Sequence, residues 1–140
     1  MKNLELRIVT PEKTVILPRV QSLVLDCPDG KRGVLPGHVP ALFEVAIGIL
    51  RCIDDADEEH YFSIAGGVAE VNPRSVVITT GSVEEAHEID VERAREALKR
   101  AEKRLREKSA ETDFIRAQAA ILRALARLRV SESLQRTKKS

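Results

Sequence analysis

The sequence predicts an all-β sandwich or barrel followed by an antiparallel two-helix hairpin, and three observations predict it. Up to about Gly81, short β-branched or aromatic runs alternate with Pro, Gly and Asp turn signals at the spacing of an all-β domain. Beyond Gly81 the composition turns to Ala, Arg, Glu and Leu, with neither Pro nor Gly to the end. Within that Ala-rich and Arg-rich stretch a single pattern occurs twice: Arg93-Ala94, Arg100-Ala101, Arg104-Leu105, then Arg116-Ala117, Arg123-Ala124, Arg127-Leu128. At about 100° per residue, a spacing of seven then four returns each arginine trio to one line of an α-helix. The division falls near residue 85, giving a β domain over 1–85 and a helical domain over 86–140.

In the first domain Leu4, Leu6 and Ile8 alternate with Glu5 and Arg7 as a half-buried strand. Val20–Leu25, Ile47–Ile53, Tyr61–Ile64 and Ser75–Thr80 are further strand-length runs. Turns are expected at Thr10-Pro11, Pro28-Asp29-Gly30, Pro36-Gly37, Asp54-Asp55, Gly66-Gly67 and Asn72-Pro73. Asp90 is an N-cap for a helix starting at Val91, with Glu92 favourable to its dipole. Lys108 to Asp113 reads as the break between the helices, with Thr112 or Asp113 capping the second, and the polar, basic tail from Ser131 to Ser140 is expected to fray.

Beside each arginine row runs an apolar stripe: Ala94, Ala97, Leu98, Ala101 and Leu105, then Ala117, Ile121, Ala124, Leu125 and Leu128. Packed seam to seam as an antiparallel pair, the helices turn both arginine rows to one face. A seam half made of Ala stabilises little, since burying Leu contributes about 1.5–3 kcal/mol and Ala much less, so the hairpin opens at modest cost. The row can be a solvated surface, supported on the first helix by the spacings Glu96 to Arg100 and Arg104 to Glu107. No acid occurs from Phe114 to Val130, however, and arginine forks match phosphate and carboxylate, which favours an anion or an acidic partner.

The totals exclude several classes. A net charge of +1 and four aromatics (Phe43, Tyr61, Phe62, Phe114) argue against nucleic-acid binding. No apolar run reaches the roughly 20 residues that cross a bilayer, and no signal peptide opens the chain, so a cytoplasm-like location without membrane insertion is expected. Cys27 and Cys52 read as buried thiols, and His38, His60 and His87 form no zinc signature, so no metal is expected. No nucleophile–base or paired-carboxylate arrangement emerges, so no catalytic residue is expected. Gly30 to Pro40 lacks the ending of a phosphate loop and reads as a rigid turn, serving either a partner surface or simply a corner.

Four strings in order, Gly30-x-x-Gly33-Val34-Leu35-Pro36-Gly37-His38-x-Pro40, Ala65-Gly66-Gly67-Val68-Ala69-Glu70-Val71, Ile89-Asp90-x-x-Arg93-Ala94 and Arg123-Ala124-x-Ala126-Arg127-Leu128-Arg129-Val130, resemble the epsilon subunit of the F-type ATP synthase. The resemblance runs the full length. It implies an antiparallel sandwich of about ten strands, a C-terminal hairpin, no catalytic chemistry and no required cofactor. It further implies a rotor subunit bound to the gamma subunit and the c-ring, peripheral at the cytoplasmic face of a bacterial membrane. The hairpin would extend into the catalytic head, alpha and beta, to inhibit ATP hydrolysis.

In some members the folded hairpin binds ATP. The resemblance places that site here at Ile89, Asp90, Arg93 and Ala94, with Arg100, Arg123 and Arg127 near the phosphates and Glu84 at the spacing of a family acid. It places the c-ring contact in the loop with Lys31, Arg32, Pro36, Gly37 and His38, where the basic pair departs from many relatives, as Val68 does from a commonly larger residue. The competing expectation is a purely structural and inhibitory subunit whose arginines dock on the catalytic head and bind no nucleotide. A free-standing nucleotide-binding regulator is the third.

Overall fold

The computed structural model describes residues 3–107 and 111–139. Its strands are β1 (Leu4–Val9), β2 (Thr14–Cys27), β3 (Gly30–Val34), β4 (Ala41–Asp54), β5 (Glu59–Asn72), β6 (Ser75–Thr80) and β7 (Val83–Glu85). A one-turn 3-10 helix, Ala86–Glu88, leads into α1 (Val91–Glu107) and α2 (Glu111–Lys139).

The sheet has seven strands, not about ten, because three of them run 14 residues without a break. Two devices let one strand do the work of two. In β2, exposed Pro18 sits where the register with β1 shifts, between Leu17 opposite Leu6 and Val20 opposite Leu4, so the missing N–H falls at an irregularity and the strand bends there. In β5 the expected turn at Gly66-Gly67 is absent. These residues stay within the strand, with φ of 84° and 142°, and a Cβ on Gly67 would lie 1.9 Å from the Thr79 carbonyl oxygen.

The strand order β1-β6-β5-β4-β2 closes because β1 also pairs with β2. All pairings are antiparallel except β1 with β6. The enclosed core includes Leu4, Leu6, Ile8, Leu23, Leu25, Leu50, Phe62, Val76 and Ile78, together with both thiols, which are free. Burial pushes the Cys52 thiol up to about 12, so it stays neutral.

Gly30–Val34, expected in a rigid turn, is instead an edge strand paired with β2 from Cys27 opposite Gly30 to Leu23 opposite Val34. The turn at Pro28-Asp29 folds it back, and only Leu35–Pro40 remains a loop.

Asp90 caps α1 as expected, its Oδ1 accepting from the Arg93 N–H at 3.2 Å. Of the break expected over Lys108 to Asp113, residues 108–110 lie outside the described residues and 111–113 belong to α2. Because α2 starts at Glu111, Thr112 and Asp113, expected ahead of the helix as its cap, lie within its first turn. The tail expected to fray continues α2 to Lys139, anchored from behind by Val130 and Ser131, both buried.

In the hairpin seam Ala94, Ala101, Ala117 and Ala124 are buried, while Leu98, Leu105, Ile121 and Leu128 are half-buried. Leu125, expected in the seam, is exposed. In its place α2 buries Ala126 and Val130 on a second side. It does so because α2, more than α1, carries the packing against β4 and β5. Val130 meets Ala86 and Ile89 there, with Ile49 and Tyr61 beneath.

Candidate functional site

Between the hairpin and the sheet opens a cavity of about 230 Å3. Ser63, Ile64 and Ala65 of β5 form its floor, Ser82 and Glu84 one wall, and Ala97, Ala120, Ala124, Arg123 and Arg127 the helical side. The alanines make the space, since each stands where a larger side chain would fill the angle between helix and sheet. Ser82 is fixed because β6 and β7 both pair with β5, and the Ala65 N–H donates to its carbonyl at 3.2 Å across the interruption.

One acid and two arginines meet at this cavity. The Arg127 Nη2 donates to Glu84 Oε2 at 3.3 Å, and its buried Nε lies 2.7 Å from Oε1 without the alignment of a hydrogen bond. The pair ties α2 to β7. Arg123, one turn earlier on α2, has no such acid and is exposed. On α1, Arg93 and Arg100 stand four before and three after Ala97, on the same helical line, and remain exposed. Arg123 and Arg127 of the α2 row therefore line the cavity, Arg127 the more covered, while α1 enters its lining through Ala97, on the line that carries Arg93 and Arg100.

Among the described residues Arg93, Arg100, Arg104, Arg116 and Arg123 form no ion pair. The expected pairs from Glu96 and Glu107 do not form; Glu92 takes Arg95 at 3.0 Å and Glu107 takes Lys103 at 3.9 Å. Exposed pairs of this kind differ by only a few tenths of a kcal/mol, so spacing alone does not select among them. Apart from Arg127, the two arginine rows thus have no ion-pair partner among the described residues.

Of the eight residues assigned to nucleotide, Glu84, Arg123 and Arg127 line the cavity, and Arg93 and Arg100 share the helical line of Ala97, which lines it too. Ala94 is buried in the seam, Asp90 is committed through Oδ1 to the helix cap, and Ile89 is buried in the joint against Val130. Sequence reasoning missed Ser63 and Ser82, which line the same cavity, and Ala97, Ala120 and Ala124, whose smallness forms it. Their signal is visible only once the crossing of α2 over β5 is known.

The loop residues assigned to a partner lie in β3 and in the loop that leads to β4. Lys31 pairs with Asp26 at 3.3 Å, and Arg32 pairs with Asp29 at 3.0 Å while covering the Phe43 ring at 4.9 Å, so the basic pair is largely balanced by its own hairpin. Pro36, Gly37 and His38 are held by Gly37 N–H donating to the Pro73 carbonyl at 2.7 Å and His38 N–H to the Leu35 carbonyl at 3.1 Å. What this end displays is apolar: Leu35, Val39 and Leu42 are 62%, 71% and 72% exposed, more than an isolated surface needs. None of the three stood among the expected contacts.

Two of the scattered histidines gather acids. His60 on β5 has Nε2 at 2.9 Å from Asp54 Oδ2 and Nδ1 at 3.2 Å from Glu85 Oε1, and His87 Nδ1 is 3.6 Å from Glu85 Oε2. Asp54 Oδ1 accepts from the Ala56 and Glu58 N–H groups at 2.8 and 3.0 Å. The residue types suit a cation, but Asp54 and His60 are spent on each other, which makes the arrangement a hydrogen-bonded bridge.

Two family models match most of the chain: "ATP synthase, Delta/Epsilon chain, beta-sandwich domain" over residues 3–86 and "ATP synthase, Delta/Epsilon chain, long alpha-helix domain" over 87–132. Curated relatives described as ATP synthase epsilon chain include one from Nitratidesulfovibrio vulgaris (strain DP4), 44% identical over 92% of this chain and 96% of its own length. One from Syntrophobacter fumaroxidans is 43% identical over 94% and 97%, and one from Bacillus mycoides is 38% identical over 94% and 98%. Among solved structures, a chain of the Euglena gracilis mitochondrial ATP synthase, in an assembly of OSCP, F1 and c-ring, shares the fold. Its TM-score is 0.78 at 24% identity, covering 96% of this chain and 82% of that one. No described helix is long and apolar enough to cross a membrane.

Proposed function

The chain belongs to the family of ATP synthase epsilon chains, the central-stalk subunits of the F-type enzyme, and from that membership we propose that its hairpin is an ATP-sensing brake on ATP hydrolysis. The observation that carries the reading is the cavity between hairpin and sheet, walled by alanines, holding Glu84 and Arg127 as a pair and lined also by Arg123, which forms no ion pair among the described residues.

A nucleotide polyphosphate laid across this cavity meets Arg123 and Arg127 on α2 and the line of Arg93 and Arg100 on α1. It thereby bridges two helices whose own seam is half alanine. Binding only to the closed hairpin stabilises that state by RT ln(1 + [L]/Kd), about 2.7 kcal/mol at a hundredfold excess. High ATP keeps the hairpin on the sandwich; low ATP releases it toward the alpha and beta subunits, where it inhibits. The subunit itself is non-catalytic and needs no cofactor.

In the same reading the loop end of the sandwich, with Lys31, Arg32, Pro36, Gly37 and His38 beside exposed Leu35, Val39 and Leu42, meets the c-ring. The gamma subunit binds alongside. The chain sits peripherally at the cytoplasmic face of a bacterial membrane, without insertion into it and without nucleic acid, in a motor that couples ion translocation to ATP synthesis.

Calorimetric titration of the chain with ATP tests the brake. Saturable binding that Arg123→Ala abolishes is the expected result, and no binding at several-millimolar ATP overturns it. The second reading, an arginine face that docks on the catalytic head, is favoured by the exposure of Arg104 and Arg116 away from the cavity. It predicts that Arg123→Ala relieves inhibition of the assembled enzyme with the ATP response unchanged.

A further inference from the structure

Where the sandwich passes into the hairpin, one imidazole bridges two carboxylates, one from each side of the joint. His60 projects from β5 between Asp54, where β4 ends, and Glu85, the last residue of β7 and the first of the link to α1. Both ring nitrogens lie within hydrogen-bond distance of a carboxylate oxygen, at 2.9 and 3.2 Å. A neutral imidazole has one N–H, so it can serve only one of them and must turn a lone pair on the other. Both contacts are satisfied together when the ring carries two protons.

We propose that His60 is a proton-operated latch on the hairpin joint: charged, it clamps Glu85 to Asp54 and keeps the link seated; neutral, it releases one carboxylate and loosens the link.

The charged and titratable neighbours among the described residues are consistent with this. From β4, Asp54 and the neutral Cys52 thiol face the ring; from the turn, Glu58 stands near Asp54; from the link, Glu85, His87 and Glu88. Lys13, from the β1–β2 turn, is taken up by Glu88 at 3.3 Å, and Arg51 by Glu59. The Glu85 N–H also donates to Glu88 Oε1 at 3.4 Å, so the whole link moves with the group that His60 holds. Burial, the largest influence on His60, works against its charge, but hydrogen bonds to Asp54 and Glu85 outweigh it and raise its pKa above 6.5. With the folded-state value raised, the clamp is fully present below about pH 6.5 and is lost as pH rises through the folded value. Alkalinisation therefore favours release.

The latch concerns this chain alone and needs no nucleotide. Its effect on the motor rests on the hairpin's leaving the sandwich, as proposed above. The test uses the isolated full chain without ATP, so its failure is distinct from failure of the nucleotide reading.

The experiment is an NMR titration of the His60 ring from about pH 5.5 to about pH 9, with amide-exchange protection factors for residues 86–94 followed in the same samples. His60 is expected to titrate above its ordinary value, and protection of the link to fall by up to about tenfold per pH unit through that transition, the limit for one proton. Protection in β6 should stay flat. His60→Gln should remove the pH dependence, and Glu85→Gln, which keeps the histidine, should lower its pKa and flatten the response should the first variant fold poorly. A His60 that titrates at or below 6.5, or link protection that ignores its transition, overturns the proposal.

Discussion

Gly67 shows how narrow a single position can be. Its φ of 142° and the 1.9 Å that would separate a Cβ from the Thr79 carbonyl combine backbone strain with a collision against main chain that cannot rotate away. Gly67→Ala is expected to lower stability by about 2 kcal/mol or more, read as a shift of the denaturation midpoint. Gly66, at φ 84° but with its nearest atom at 3.4 Å, should be the milder of the two. In the sequence this pair looks like a turn, because nothing local reveals that β6 passes so close. The family pattern names Glu84 and Arg127 together, and the structure brings them together as an ion pair. Ser63 and Ser82 were not legible, since a serine on a strand or at its end carries no sign of which face will be covered by a helix.

Among the elements, α2 is the one that joins the two halves of the molecule, through Val130 on the joint cluster and Arg127 on Glu84. Val130→Ala removes two methyl groups, about 1.6 kcal/mol at 0.8 per methylene, offset by up to about 0.5 from helix propensity. Hairpin docking should weaken by about 1 kcal/mol while the sandwich holds, seen as faster amide exchange in α2 with β6 unchanged. Asp90→Ala should cost α1 about 1 kcal/mol, visible as fraying of residues 91–94. The seam side of each helix could be read from periodicity, and so could the cap. The second buried side of α2 escaped because Ala126 and Val130 are too few and too small to mark a stripe. Strand number escaped for a similar reason: Pro18 and Gly66-Gly67 look like interruptions, yet the strands bend through them.

For the molecule as a whole, the ionisable groups predict a stability profile with two flanks. The Asp54 carboxyl is held below its usual range by its hydrogen bond to His60 and by the Glu58 and Ala56 N–H groups. Its contribution is present above about pH 3.8 and is lost as pH falls through the lower folded value. His60 acts with the opposite sign, its share present below about 6.5 and lost on the alkaline side. Denaturation midpoints across the pH range should therefore be highest in the mildly acidic interval between these values. His60→Gln should lower the maximum between the two flanks and so flatten the curve, since it removes the contributions that are present only there.

The same closed sheet has a mechanical meaning. β4 begins at Ala41, next to the exposed loop, and runs unbroken to Asp54, which touches His60. At about 3.3 Å per residue, those 14 residues make a tie rod roughly 45 Å long. It is bonded along one side to β5 for most of its length and along the other to β2 near its far end. A pull on the loop loads these ladders in shear, with many hydrogen bonds sharing the force, whereas a strand lifted sideways from an open edge would yield one bond at a time. β1 completes the ring, so at that far end β4 has no open edge from which such peeling could start. Torque applied at the loop end of the sandwich therefore reaches the hairpin joint with little lost to deformation between them.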